Sequence, residues 1–355
     1  MYDIVIIGAG PAGSNLTRLI SDKYKILWID KRDMENENPK NKKGKCCGGL
    51  LAPDAQKMIA RLGLSLPSDI LVNPQIFAVR TIDIANNIER LYQRFYLNFD
   101  RDKFDKWFVS LVADQVEKKF NTLFIGFTKI PDGYKIRYIH NGQEKFAKTR
   151  IIIGADGANS KVRNLISKGI NMPKQYIAIQ EWFECANLIP YYGAIFDEEI
   201  TDFYSWVIPK ENCILLGSAL KPKENPWEKF ELLKVKLRDF GFNFDKRIKT
   251  EGAYICRPNK ISSFYVGDEN IALIGEAAGA ISPSSAQGIS YALKTSLHLA
   301  HSLQTGSEGF LERYKKNVND IKVNLLLKNL KSPAMYLPSL RYLAMKSGFQ
   351  SISKE

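Results

Sequence analysis

A glycine-rich turn near the start of the chain constrains the fold more than any other feature. Residues 2–7 form a short, β-branched apolar run that is typical of a buried parallel strand, and Gly8-Ala9-Gly10-Pro11-Ala12-Gly13 follows it directly. A helical pattern then covers residues 15–20, and a second apolar run at 25–29 ends in Asp30. This order predicts a β-α-β unit that opens a doubly wound α/β domain.

The spacing of the three glycines predicts a dinucleotide site. Gly8 allows the tight turn, Gly10 lets the backbone approach a pyrophosphate, and Gly13 lets the helix pack against the strand. The pyrophosphate is expected at the helix N-terminus, where N–H groups and the helix dipole favour negative charge. Asp30 is expected to accept hydrogen bonds from an adenosine ribose. The residues predicted to bind the cofactor in this unit are Gly8, Gly10, Pro11, Ala12, Gly13, Asp30 and Lys31.

Two later motifs favour FAD over NAD as the dinucleotide. The stretch GADGANSKVR (154–163) puts Asp156 at the end of one strand, and GEAAGAISPSSAQGISYAL (275–293) puts Glu276 at the end of another. A helix that begins among small residues can approach a flavin ring and stabilise negative charge at its N1/C2=O edge. Glu276 is expected to accept a ribityl hydroxyl. This second group of predicted cofactor residues is Asp156, Gly275, Glu276, Gly288 and Ile289.

Composition excludes several classes of protein. Hydrophobic residues make up 45% of the 355 residues and charged residues 25%, as in soluble globular proteins. Five Cys, three His and the absence of CxxC or HExxH motifs argue against a disulfide scaffold and against a metal site. No apolar run reaches the length of a membrane span and no signal-peptide pattern opens the chain, so the expected location is cytoplasmic. The net charge of +13 favours anionic partners, but the basic residues are spread out and no nucleic-acid-binding module occurs.

Four stretches carry a family resemblance: CGGLLAPDAQ, NPQIFAV, GADGANS and GEAAG. The sequence resembles the glutathione-reductase-type FAD oxidoreductases of the hydroxylase branch, and within that branch the geranylgeranyl reductase family, with CbrA-like flavoproteins as the nearest subgroup. The resemblance implies that Arg101 contacts FAD and that Asp156 has a partly structural role. Glu276 stands where the branch usually has Asp.

The resemblance also implies the candidate catalytic residues Cys47, Tyr204 and Trp206. Cys47-Gly48-Gly49 resembles the CGG element that lies near the isoalloxazine of the reductases, and residues 204–209, YSWVIP, resemble their YxWxFP motif with Ile for Phe. Alternate strand residues point the same way, so Tyr204 and Trp206 are expected to line one face of a substrate cavity. The simpler alternatives are a small buried apolar role for Cys47 and an aromatic core strand at 204–209.

Three functions remain open on this evidence. The first is a reductase of C=C bonds in an isoprenoid or another apolar, lipid-like substrate, with Cys47 or Tyr204 as proton donor. The second is a monooxygenase of an aromatic or polyketide-like substrate, and the third is a non-catalytic flavin-binding protein. Electrons are expected from transiently bound NAD(P)H or from a ferredoxin-like protein.

The expected architecture has two domains and a helical C-terminus. The Rossmann-like FAD domain is expected at residues 1–75, 99–174 and 250–308, and an antiparallel-sheet substrate domain at 76–98 and 175–249. The active site is expected where the two domains meet at the flavin ring. Residues 309–355 are expected to form a basic helical segment that either contacts anionic lipid as a peripheral membrane surface or is an ordinary solvated cap.

Overall fold

The computed structural model describes residues 1–35, 45–167, 170–185 and 189–352. The strands are β1 (Tyr2–Ile7), β2 (Ile26–Ile29), β3 (Leu50–Leu51), β4 (Ile76–Asp83), β5 (Ile88–Asn98), β6 (Glu117–Lys119), β7 (Thr122–Ile130), β8 (Gly133–His140), β9 (Gln143–Gly154), β10 (Lys174–Glu184), β11 (Tyr192–Phe196), β12 (Ser205–Lys210), β13 (Cys213–Leu220), β14 (Arg247–Arg257), β15 (Gly267–Asp268), β16 (Ile271–Leu273) and β17 (Ser351–Ile352). The helices are α1 (Pro11–Ile20), α2 (Pro53–Arg61), α3 (Arg101–Ser110), α4 (Lys161–Ile166), α5 (Pro226–Arg238), α6 (Ile289–Gln304), α7 (Phe310–Asn317), α8 (Asn319–Lys331), α9 (Pro333–Tyr336) and α10 (Pro338–Lys346).

The chain divides into two compact units. Unit 1 comprises Met1–Gly44, Asp102–Lys174 and Cys256–Lys328. Unit 2 comprises Lys45–Arg101, Gln175–Ile255 and Asn329–Glu355. The predicted fold class is confirmed: unit 1 is a doubly wound α/β structure and unit 2 is built on a mainly antiparallel sheet.

Unit 1 is organised by a buried parallel sheet in the order β16-β9-β1-β2-β6. Its central strand β1 pairs in parallel with β2 on one side and β9 on the other. The strands are continuous apolar runs because both faces of the sheet are covered, and the four residues from Ile4 to Ile7 are at most 4% exposed. The carboxyl ends of β1, β9 and β16, where the three glycine-rich motifs begin, therefore lie side by side.

Unit 2 is organised by the sheet β14-β10-β13-β12-β11-β4-β5-β17. Most neighbours are antiparallel, and β11 with β4 is parallel. One face of this sheet packs on α5, whose Phe230, Leu233 and Leu237 are fully buried against Val207 and Leu216 of the central strands. The opposite face carries the alternate residues of the same strands, which include the predicted catalytic positions.

The two units do not coincide with the predicted domains: residues 99–101 and 250–255 fall in unit 2, and larger differences occur at 45–75 and in the C-terminal segment. Residues 45–75 belong to unit 2 because β3 pairs with β5 and Leu71 bridges to Phe99. The C-terminal segment is shared: the chain up to Lys328 packs in unit 1, and the remainder packs in unit 2, where β17 extends the sheet at β5. Neither assignment is visible in local sequence because each depends on strand pairing over long distances.

Candidate functional site

The glycine turn of unit 1 is closely packed on two sides and open at its centre. A Cβ atom on Gly8 would lie 2.3 Å from the carbonyl oxygen of Ala155, and one on Gly13 would lie 1.9 Å from that of Gly8. A Cβ on Gly10, by contrast, would meet no heavy atom of the described chain within 4 Å. The first and third glycines therefore serve the packing of the protein, whereas the second borders space that the protein leaves open.

Asp30 holds the glycine turn in place through its carboxylate. Its Oδ2 accepts a hydrogen bond of 2.5 Å from the backbone N–H of Ala9, and Oδ1 accepts one of 2.7 Å from the N–H of Arg32. The Arg32 guanidinium bonds both Asp30 oxygens at 3.2 Å and reaches the fully buried Asp105 at 2.8 Å. These hydrogen bonds occupy much of the acceptor capacity of the Asp30 carboxylate, which the sequence predicts to bind the adenosine ribose. The ribose contact of Asp30 stays a prediction, and Arg32 is a member of the site that sequence reasoning missed.

Asp156 caps the helix that follows the GADGANS motif. Its Oδ1 accepts from the Ser160 hydroxyl at 2.5 Å, and its Oδ2 accepts from the N–H groups of Lys161 and Val162 at 2.7 and 3.2 Å. Burial raises the pKa of Asp156, while these hydrogen bonds act in the opposite direction by stabilising its charged form. The preceding residue, Ala155, is the one that touches Gly8, so this motif supports the glycine turn from the side.

The GEAAG motif approaches the same turn from the other side. Gly275 has a φ of +59°, and a Cβ added there would lie 3.0 Å from the Cβ of Ala12, in the first turn of α1. Its N–H donates to Thr295 Oγ1 at 2.8 Å, which ties the motif to α6. Glu276 accepts a hydrogen bond of 3.0 Å from the backbone N–H of Cys256. The structure thus brings all three predicted cofactor motifs together at the carboxyl edge of one sheet.

Unit 1 fits an anionic dinucleotide by its own geometry. In the described residues, no side chain caps α1 at Gly10 or α6 at Gly288, so both helices present backbone N–H groups without an intrahelical partner. The open position beside Gly10 lies at the first of these ends, where the helix dipole favours a pyrophosphate. Gly288 is the N-cap of α6 and Ile289 is its first residue, and their contacts with the cofactor stay a prediction. Lys31 is exposed. Arg101, the half-buried first residue of α3, belongs to unit 2, and its contact with FAD stays a prediction.

In unit 2 the predicted catalytic strand presents one continuous face. Tyr204, Trp206, Ile208 and Lys210 are alternate positions along β12 and the residue before it, so their side chains share the face opposite α5. The Tyr204 and Trp206 rings are 5.4 Å apart between centroids. A Cβ on Gly217, the strand partner of Trp206, would lie 2.4 Å from the indole, so this glycine makes room for the ring.

The Cys47-Gly48-Gly49 loop lies on this same face. A Cβ on Gly48 would come within 2.6 Å of Ile208 Cδ1, and one on Gly49 within 2.4 Å of Lys210 Nζ. Gly49 has a φ of +62°, and its N–H donates to Cys47 Sγ at 3.4 Å. The structure therefore brings the Cys47 loop and strand β12 together, although they are more than 150 residues apart in the sequence. A direct hydrogen bond from Lys210 Nζ to the carbonyl oxygen of Gly49 joins them.

Lys210 is a buried cation that sequence reasoning missed. It is 5% exposed, and its Nζ donates to the carbonyl oxygens of Gly49 and Phe99, both at 3.0 Å, and to Asn98 Oδ1 at 2.6 Å. Burial lowers the pKa of Lys210 to about 7, while negative charge at Cys47 or Asp100 acts to raise it. The sequence signal was its place two residues beyond Ile208, on the same face of the strand.

An aromatic cluster continues the face across β11 and β5. Tyr204 hydrogen-bonds Tyr192, and burial raises the pKa of both phenols well above the ordinary value, so both stay protonated at neutral pH. Tyr96 lies 5.8 Å from Tyr192 between ring centroids, and Tyr336 of α9 lies 5.8 Å from Phe196. We call this set the aromatic face; it comprises Tyr96, Tyr192, Phe196, Tyr204, Trp206 and Tyr336.

Trp206 carries an unused hydrogen-bond donor in this face. Its side chain is 6% exposed, yet its Nε1 has no partner in the described part of the protein. A buried indole N–H without an acceptor is costly and is usually paired. The position therefore fits a bound molecule that offers an oxygen acceptor. The side chains of the described residues form no cluster of three or more His, Cys, Asp or Glu that could hold a metal ion.

Curated relatives match the chain along nearly its whole length. Protein CbrA of Escherichia coli O6:H1 is 39% identical over 351 residues, which cover 99% of this chain and 94% of that protein. CbrA of Shigella sonnei has the same identity over 351 residues and is covered to 98%. No family model matches the chain.

Solved structures share the fold at low sequence identity. A geranylgeranyl bacteriochlorophyll reductase-like protein from Thermoplasma acidophilum has a TM-score of 0.78 at 17% identity, covering 97% of this chain and 99% of that one. A triple mutant of the flavin-dependent brominase Bmp2 has a TM-score of 0.72 at 19% identity, covering 98% of this chain and 92% of that one. PqsL, a probable FAD-dependent monooxygenase from Pseudomonas aeruginosa, has a TM-score of 0.70 at 15% identity, with 98% and 99% covered. These likenesses agree with the predicted fold.

Proposed function

The chain belongs to the CbrA family, and from that premise we propose that it is an FAD-dependent oxidoreductase that reduces C=C bonds in an isoprenoid or other lipid-like substrate. The observation that carries the proposal is the placement of the Cys47-Gly48-Gly49 loop against the strand face that bears Tyr204 and Trp206. The open cradle at Gly10 and the two uncapped helix N-termini support FAD as the cofactor. The flavin-dependent proteins that share the fold add to that support.

The residues of unit 2 have three tasks in such a reaction. The aromatic face offers apolar rings that bind a hydrocarbon chain, and the Trp206 N–H offers one donor for an oxygen of the substrate. Reduced FAD, when bound, supplies a hydride and thus both electrons. Saturating a C=C bond also needs one proton for the second carbon, and the candidate donors are Cys47 Sγ and Tyr204 Oη. Solvent then returns that proton, and NAD(P)H or a ferredoxin-like protein renews the reduced cofactor.

A monooxygenase is the second candidate. The fold likeness to a probable FAD-dependent monooxygenase covers nearly the whole chain, and an aromatic face binds a planar aromatic substrate as well as a hydrocarbon chain. The two functions differ in their need for O₂. A reductase transforms its substrate without O₂, whereas a monooxygenase adds an oxygen atom only when O₂ is present.

A product mass distinguishes these functions. The purified flavoprotein is reduced chemically without O₂ in the presence of a total lipid extract from the source organism, and lipid masses are compared before and after. We expect one or more lipids to gain pairs of hydrogens. A gain of oxygen only after air is admitted would instead identify a monooxygenase. No change in either atmosphere would contradict catalysis on lipids and favour a soluble substrate or a flavin-binding role.

The Cys47→Ala variant tests the proposed proton donor. We expect it to keep its FAD and to reduce the lipid substrate on the order of a hundredfold more slowly, because general acid catalysis contributes about that much. Cys46→Ala is the matched control, since it makes the same atomic change one residue earlier. The Cys46 thiol donates to Gln180 at 3.0 Å, and burial raises its pKa, so it is held as a neutral group. An unchanged rate in Cys47→Ala would assign Cys47 to packing and leave Tyr204 as the candidate.

A further inference from the structure

Helix α8 carries a second apolar face that the fold does not use. Its inner face is buried, with Ile321 and Leu325 at 0% and 1% exposure. Its outer face holds four aliphatic side chains at the spacing i, i+3, i+4, i+7, which places them in one stripe. We call them the α8 stripe: Val323, Leu326, Leu327 and Leu330, which are 56%, 48%, 49% and 69% exposed. Isolated exposed aliphatic residues are common, but four neighbours on one helix face form a patch that calls for a partner.

Exposed apolar residues also occur at and beside α10, within unit 2. Leu337, Leu340 and Leu343 are 51%, 42% and 61% exposed, and Phe349 just after the helix is 75% exposed. The inner side of α10 is anchored by the buried Arg341, which pairs with Asp83 at 2.7 Å. Because that ion pair fixes the helix on the sheet, the outward leucines are held in place by the folded unit.

Helix α8 carries one acidic side chain, Asp320 in its first turn, which lies 3.1 Å from His298 Nε2, and the charged residues that follow it as far as residue 352 are all basic. Residues 321–352 contain five basic side chains and no Asp or Glu. Arg341 forms ion pairs with Asp83 and Glu198 within the protein. The remaining four are lysines, and Lys322 and Lys331 directly flank the α8 stripe in sequence. An apolar stripe bordered by lysines is the arrangement of helices that lie in the interface of an anionic membrane.

We propose that α8, through its stripe and the lysines beside it, docks the protein on an anionic phospholipid surface. The leucines insert between acyl chains near the headgroups, and the lysines contact lipid phosphates. None of the helices in the part of the chain that the structure describes combines the length and apolarity needed to cross a bilayer. This proposal does not rest on the reductase reaction, because it concerns a surface outside the Cys47 loop and the aromatic face.

Charge distinguishes the lipid surface from the other occupants. A second copy of the chain would bring the same lysine-flanked stripe against itself, so that like charges meet at an otherwise apolar interface. An acidic protein would satisfy the lysines but would need its own matching apolar groove for the stripe. A phospholipid leaflet supplies both negative charge and an apolar layer at the depth that leucine side chains reach.

Vesicle sedimentation of the full-length flavoprotein tests the proposal. The probes are vesicles of phosphatidylcholine alone and of phosphatidylcholine mixed with phosphatidylglycerol. We expect binding to the mixed vesicles only, with a strong loss at high salt because screening weakens the lysine contribution. The Leu326→Gln/Leu330→Gln variant is expected to lower the bound fraction at least about tenfold, since burying each leucine is a major part of the affinity. Replacing Lys322 and Lys331 with Gln should weaken binding to the mixed vesicles about fivefold for each lysine replaced.

Val235→Gln is the matched control because Val235 is an aliphatic residue on α5 with 57% exposure, similar to the stripe. It should bind vesicles as the wild type does.

Equal binding by the stripe variant and the wild type, or no binding of the wild type to the mixed vesicles, would overturn the proposal. A wild-type dimer that becomes a monomer in the stripe variant, without vesicle binding, would assign the stripe to a second copy. The substituted helix positions are exposed, except for the half-buried Lys322, and Gln is a good helix former, so unchanged flavin content and melting temperature verify the fold of each variant.

Discussion

Gly10→Ala is expected to weaken FAD binding strongly while leaving the protein folded. The structure leaves open the position that the new methyl group takes, since no heavy atom of the described residues lies within 4 Å of it. The backbone at Gly10 has a φ of −79°, which alanine adopts without strain. The methyl group therefore disturbs only a molecule bound against that backbone. We expect the dissociation constant of FAD to rise on the order of a hundredfold, as overpacking of a close contact costs up to about 3 kcal/mol.

Two further glycines make this experiment selective. Gly13→Ala would put its methyl 1.9 Å from the carbonyl oxygen of Gly8, so it should lower both the melting temperature and the flavin content. Gly126→Ala on β7 meets only Leu165 Cδ1 at 4.0 Å and should change neither. Flavin absorbance of the purified proteins and thermal unfolding of the apoproteins give the two readouts. Full flavin content in a folded Gly10→Ala protein would place the dinucleotide away from this turn.

The parts of the fold that the sequence predicted correctly are those with local signals. The strand, glycine turn and helix of the first unit follow from a change in hydrophobic period at Gly8. The hairpin between β8 and β9 follows from Asn141-Gly142, which both have positive φ in the structure. Helix α2 begins at Pro53, as a proline in the first turn predicts. Each of these features is decided by neighbours within a few residues.

The predictions that differed depended on distant contacts. Apolar residues at helical spacing run from Phe104 to Val116 in the sequence and predict a helix over 101–116, but α3 ends at Ser110. The Val112 and Val116 side chains are buried as the chain turns toward β6, which pairs with β2 and forms the edge of the sheet. Arg32 and Lys210 were missed for the same reason. A charged residue becomes a buried anchor only through partners such as Asp105 or Asn98, which no local pattern connects to it.

The stability of unit 2 is expected to depend on pH through Lys210. In the folded protein burial lowers its pKa to about 7, whereas in the unfolded chain it keeps the ordinary value near 10.5. Below pH 7 Lys210 is protonated in both the folded and the unfolded protein. The cost of burying its charge is then fully present, and the contribution of Lys210 to the free energy of unfolding does not vary with pH. Between these two pKa values the unfolded chain binds more protons than the folded protein, and the free energy of unfolding rises with pH. The slope approaches about 1.4 kcal/mol per pH unit.

The comparison of wild type with Lys210→Met isolates this effect. The variant leaves the carbonyl oxygens of Gly49 and Phe99 without their donor, so it should be less stable than the wild type in the alkaline part of the range. The difference between the two proteins should grow as pH rises from about 7 to 9. Urea unfolding followed by tryptophan fluorescence measures it, because Trp182, Trp206 and Trp227 all lie in unit 2. Because Gly49 belongs to the Cys47 loop, substrate reduction by the variant should also fall.

Lys236→Met is the control for the pH dependence. Lys236 pairs with Asp197 at 2.6 Å, and although burial lowers its pKa, hydrogen bonds to Asp197 and Glu199 raise it overall. Its proton is therefore bound in both states throughout the tested range, and the stability lost on its removal should stay constant between pH 7 and 9. If the difference in unfolding free energy between wild type and Lys210→Met is also constant with pH, the three acceptors around Lys210 keep its ammonium group charged. A slope confined to Lys210→Met would establish a buried amine that titrates near neutral pH beside the proposed proton donor Cys47.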